Sequence, residues 1–141
     1  MIEKAYTLLL FGVIGLGIEV IFTALYDLLI SKKSNRVHLF GYSSLWYLPL
    51  YGVVLPLGIY FLNSSVGNLP LLLRGVIYAI LIQIGEFLVM WLLHVINGQS
   101  PSEKEYLNSK HSIKGFTRWD YFPAFILLGL IFEYLVRHWL V

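Results

Sequence analysis

Three glutamates stand inside long apolar runs: Glu19 in Gly15-Leu16-Gly17-Ile18-Glu19, Glu86 in Gln83-Ile84-Gly85-Glu86, and Glu133 in Gly129-Leu130-Ile131-Phe132-Glu133. An ionisable side chain at the centre of a bilayer costs about 2.5 to 3.5 kcal/mol on insertion scales, so such residues are usually paired or mark an ion or substrate pathway. Carboxyls gathered in a medium of low dielectric favour a shared proton or a bound cation. The chemistry open to Glu19, Glu86 and Glu133 is therefore binding of a proton, a cation, or the amine of a lipid or solute. Gln83, one turn before Glu86, joins them as a candidate ligand.

The elements that must position these groups follow from composition. The chain has 141 residues, of which 58% are hydrophobic and 13% charged, against roughly 25% charged in soluble domains. Four apolar runs, at about 5–30, 43–62, 70–96 and 120–141, are each near the roughly 20 residues that cross a hydrocarbon core. These runs predict an all-α integral membrane bundle of four transmembrane helices in a single domain. The first run is too long for the apolar core of a signal peptide and is expected to remain in the mature protein. Pro49 and Pro56 each remove a backbone donor from the second run, which predicts a kinked or locally unwound helix. Ser100-Pro101-Ser102-Glu103 has the spacing of a capping box and predicts a short surface helix in the third loop, ending before Gly115.

Several functions are excluded at this level. With no cysteine there is no disulfide, thiolate metal site or cysteine nucleophile. A net charge of +2 is too small to indicate nucleic-acid binding. No phosphate loop of the G-x-x-x-x-G-K-[ST] type occurs, so this chain has no nucleotide site of that kind. No cofactor is expected, and no metal is specified by the sequence. Gly12-x-x-Gly15-x-Gly17 lies inside a spanning run and is read as close helix packing, and Asn63-Ser64-Ser65 as a chance match to the glycosylation pattern.

Cation placement sets an orientation. Lys32, Lys33 and Arg36 lie in the first loop, and Lys104, Lys110, Lys114 and Arg118 in the third. The positive-inside rule then places loops 31–42 and 97–119 in the cytoplasm and both termini outside, in the plasma membrane. Glu19 lies eleven residues before Ile30, Glu86 ten before Ile96, and Glu133 thirteen after Asp120. Those counts put all three at depths of about 15 to 20 Å, which predicts one shared glutamate layer. Asp27 lies two turns nearer the cytoplasm than Glu19, and Arg74 three turns outward of Glu86, where it could bind a lipid phosphate or close the outer mouth. Arg137 follows Glu133 by four residues; if the two pair, Glu133 is an anchor rather than a ligand.

The blocks Gly15-x-x-x-Glu19-Val-x-Phe22-Thr23-Ala24, Gly41-x-Ser43-Ser44-x-Trp46 with Tyr51-Gly52, and Pro70-Leu-Leu-Leu-Arg74 with Ile77-Tyr78 and Glu86-Phe87 resemble the CmpB-like membrane family. That family carries an ABC-transporter type IV label and includes the transmembrane protein 229 group. The interval from Gly115 to Glu133 fits its last segment, so the resemblance covers nearly the whole chain. It marks Glu19, Asp27, Trp46, Arg74, Tyr78, Glu86 and Glu133 as matching positions. The family's Pro-Trp-x-Tyr in the third loop is replaced here by Pro101-Ser-Glu-Lys-Glu-Tyr106. The leading expectation is a transport or permease-type component. Because four spans enclose little space, a homo-oligomer or a partner membrane subunit is implied. The alternatives are a non-catalytic assembly or lipid-binding subunit and, further off, a carboxylate-using enzyme, which lacks a histidine or serine in the glutamate layer.

Overall fold

The computed structural model describes residues 1–32 and 39–140. Lys33 and Arg36, two of the first-loop cations, lie outside the described residues. The structure is mostly helical, and among the described residues four helical stretches are long and apolar enough to cross a membrane: Ile2–Leu29, Tyr47–Val66, Leu71–Asn97 and Trp119–Trp139. The chain divides into two compact units, Met1–Val53 and Val54–Val141.

In the first unit, helix α1 (Ile2–Leu29) packs against the short helix α2 (Tyr47–Pro49) and the π-helical turn that follows it, Leu50–Val54. Small residues allow this. A β-carbon on Gly12 would come within 2.7 Å of the Leu48 side chain, and one on Gly15 would collide with the ring of Tyr51. Gly12 and Gly15 lie about one turn apart and so share a face, the arrangement that lets helix backbones approach closely. Gly17, off that face, meets nothing within 4 Å. Thr23 closes the unit: its hydroxyl donates to the Tyr42 carbonyl at 3.0 Å and accepts the Tyr42 N–H at 2.8 Å.

The second unit is built on helix α4 (Leu71–Asn97), against which α3 (Leu55–Val66) and α6 (Phe122–Trp139) pack. Pro70 precedes α4, and Gly98 ends it with φ of 79°, donating its N–H to the His94 carbonyl at 2.8 Å. A side chain is strained in that left-handed conformation, which is why glycine closes the helix. The core is Ile59, Tyr78, Met90, Phe132 and Val136, all fully buried. Gly129 and Gly75 bring α6 and α4 together, the first against Tyr78 and the second against Ile126 and Leu130.

Between α4 and α6 the chain folds rather than loops. Helix α5 (Pro101–Tyr106) starts at the capping box, where the Ser100 N–H donates to Glu103 Oε2 at 2.6 Å. A two-stranded hairpin not expected from the sequence follows, β1 (Ser112–Ile113) with β2 (Thr117–Arg118), and a 3-10 turn (Trp119–Tyr121) leads into α6. The buried Ser102 hydroxyl donates to the Gly115 carbonyl at 2.7 Å, fastening helix to hairpin.

Candidate functional site

Arg74, Tyr78 and Arg137 of the second unit converge on Glu133. Its carboxylate, 5% exposed, accepts the single Arg74 Nε–H shared between its two oxygens, at 3.0 and 3.2 Å, and lies 3.7 Å from a guanidinium nitrogen of Arg137 one turn along α6. Each arginine is held in turn. Arg74 Nη1 donates to the Leu69 carbonyl at 2.7 Å, and Arg137 Nε donates to Asn63 Oδ1 at 3.1 Å. The cluster thereby joins α3, α4 and α6. Tyr78 is fully buried beside Glu133, with its hydroxyl near the carboxylate.

The ion pair fixes the alignment of α4 with α6 and corrects the shared layer. Glu133 lies at the level of Arg74, and Glu86 is twelve residues further along α4, a rise of about 18 Å. Glu133 and Glu86 therefore do not share a depth. Counting inward from Asp120 misplaced Glu133 because α6 does not begin level with the end of α4. The last turns of α4 are instead accompanied by the α5 and hairpin segment, with Phe116 edge-on to Phe87 at 5.3 Å and to His94 at 5.6 Å.

Glu86 is itself deeply buried, 1% exposed. Gln83 is occupied elsewhere, donating its amide to the Arg118 carbonyl at 3.1 Å. Arg118 is held to Asp120 by two hydrogen bonds, at 3.0 and 2.7 Å, with its guanidinium 4.3 Å from the centre of the Tyr121 ring. It is thus a folded-in cation rather than a solvated loop charge. Nearby, His94 Nδ1 lies 2.8 Å from Glu103 Oε1. Burial acts to raise the Glu103 carboxyl, but hydrogen bonds from His94 and Ser100 and the electrostatic attraction of the His94 ring outweigh it and hold the group below its usual 4.5.

In the first unit, Glu19 accepts a hydrogen bond from the Ser43 hydroxyl at 2.7 Å, with the Tyr51 hydroxyl within reach of the same carboxyl. Asp27 accepts locally from Ser31 at 2.9 Å. Trp46 is half-exposed, and its backbone N–H donates to Ser44 Oγ.

Asn63, Ser43 and Tyr51 are site residues that the sequence did not single out. Asn63 carries a weak signal, a polar residue ending an apolar run, which the glycosylation pattern masked. Compared with protein-family models, with characterised proteins and with solved structures, the chain matches none.

Proposed function

We propose that this protein is a non-catalytic subunit of a membrane assembly, in which intramembrane carboxylates anchor the helices. Its remaining apolar faces meet lipid, further copies of the chain or a partner membrane subunit. The observation that carries this reading is the commitment of Glu133 to Arg74 and Arg137. A carboxylate neutralised inside the protein and tied to three helices is not open to a solute cation. In this reading the four helices cross the plasma membrane and the second is kinked, which the π-helical winding between Pro49 and Pro56 supports. Loops 31–42 and 97–119 face the cytoplasm and both termini lie outside. Because Arg118 is paired with Asp120, Lys104, Lys110 and Lys114 carry that orientation in the third loop.

A second reading, the transport or permease-type component implied by the CmpB-like resemblance, draws on Glu86 and Glu19. Glu86 is buried in the third candidate span, well along α4 from Arg74. There it would bind a proton, a cation or an amine.

Glu86→Gln and Glu86→Leu separate the two readings. For an anchor, the amide satisfies the same neighbours and leaves thermal stability in detergent and assembly unchanged, whereas Leu removes a hydrogen-bonding group and lowers stability by about 1 to 3 kcal/mol. Solute-dependent proton uptake into liposomes that is present in the native protein and abolished by Glu86→Gln would overturn the subunit reading.

A further inference from the structure

Helix α4 has 27 residues, about 40 Å at 1.5 Å per residue, against a hydrocarbon core of about 30 Å. Its pairing with α6 is fixed at one point by Arg74 and Glu133. From Glu133 back to Phe122 is eleven residues, about 17 Å, and the same distance along α4 from Arg74 reaches Gly85. Beyond that level α4 continues to Asn97 without α6 beside it. The segment 100–121 takes the place of α6 there, tied on through Gln83, Phe87 and His94.

The apolar surface of α4 does not stop where α6 starts. Leu88, Trp91, Leu92, Val95 and Ile96 are 48% to 67% exposed, so the face away from the folded segment stays apolar to the end of the helix. The segment itself exposes Leu107, Ile113 and Trp119 at 41% to 62%. A groove of 260 Å³ between Ile84 and Leu88 on α4 and Ile113 and Thr117 on the hairpin continues that surface. Interspersed with these residues are exposed Lys104, Lys110 and Lys114. Large apolar residues, a tryptophan and lysines on one small element are the composition of a membrane–water boundary. Much of the segment's polarity is satisfied internally, by Arg118 with Asp120, Ser102 with Gly115 and the capping box. Irregular backbone tolerates partial immersion under that condition.

We propose that residues 100–121 form an interfacial module that docks on anionic phospholipids of the leaflet at the Asn97 end of α4. Leu107, Ile113 and Trp119 enter the acyl boundary, and Lys104, Lys110 and Lys114 engage lipid phosphates. This rests on the reading that the four helices cross a membrane. Immersion of such elements is about 5 to 10 Å, and lysines near an anionic surface add electrostatic attraction that falls off within a Debye length.

The test is tryptophan quenching by lipids brominated near the headgroup or near the chain ends, in phosphatidylcholine vesicles with and without phosphatidylglycerol. Two full-chain proteins are compared. One keeps Trp119 alone, with Trp46, Trp91 and Trp139 changed to Phe. The other has all four changed to Phe and carries Leu127→Trp on the exposed mid-face of α6. Trp119 is expected to be quenched at least about twofold more by the shallow label than by the deep one, with the order reversed for the Leu127→Trp reporter. Phosphatidylglycerol should strengthen Trp119 quenching, and Lys104→Gln, Lys110→Gln and Lys114→Gln together should remove that increment. A quenched Leu127→Trp reporter with an unquenched Trp119 overturns the docking proposal alone. If neither is quenched, the membrane reading itself falls, and the docking proposal with it. Shallow quenching of Trp119 that ignores both phosphatidylglycerol and the lysine substitutions overturns the anionic-lipid part.

Discussion

Arg74 and Glu133 are fifty-nine residues apart in sequence, yet Arg74 Nε lies 3.0 and 3.2 Å from the two carboxylate oxygens of Glu133. Both side chains are largely buried, 16% and 6% exposed, so the pair is poorly screened. Removing one partner strands the other, and for buried pairs that costs about 3 to 5 kcal/mol. Arg74→Gln and Glu133→Gln are each expected to lower unfolding stability in detergent by that order. The double substitution should recover a substantial part, since neither side chain then carries a charge. Strict additivity of the two losses would show that the pair is not coupled.

The helix approach that makes this ion pair possible depends on Gly129. A β-carbon there would collide with Tyr78 Cβ, which is fixed to the backbone of α4 and cannot swing aside as the tip of a long side chain can. Gly129→Ala is therefore expected to separate α6 from α4 and to destabilise by about 1 to 3 kcal/mol, despite the better helix propensity of alanine. Gly17→Ala, with nothing within 4 Å, is the matched control and should be neutral or mildly stabilising. Equal effects of the two changes on the melting temperature would refute the packing argument.

Apolar run lengths were enough to find the four long helices among the described residues, within a few residues at most ends, because an uninterrupted apolar run of about 20 residues favours one long helix. The capping box at Ser100 and the stop before Gly115 were equally legible, being local hydrogen-bond arithmetic. The conditional pairing of Arg137 with Glu133 was visible as an i, i+4 spacing. The relative height of the helices was not. A count from a span's end assumes that spans begin level, but residues 100–121 run back along α4 and offset α6, so Glu133 meets Arg74 and not the level of Glu86. Gln83 illustrates the same loss: its partner is the backbone carbonyl of Arg118 thirty-five residues away, and no side-chain pattern announces a backbone acceptor.

Glu103 offers a pH test confined to the segment outside the long helices. Its carboxylate accepts the Ser100 N–H and faces His94, and its pKa is lowered from 4.5 when folded. A group whose folded pKa is depressed favours the folded state while it is ionised, so its contribution is complete above the unfolded value. That contribution should be present above about pH 4.5 and should disappear as pH falls below it toward the lowered folded value. Glu103→Gln keeps a carbonyl acceptor but cannot titrate. Amide hydrogen exchange at Ser100 and through α5 should thus be slower in the native protein than in Glu103→Gln at neutral pH, and the two should converge on acidification. A difference that stays constant from pH 7 to well below the carboxylate range would mean that the cap holds through shape rather than charge, and the linkage argued from His94 and Ser100 would fail.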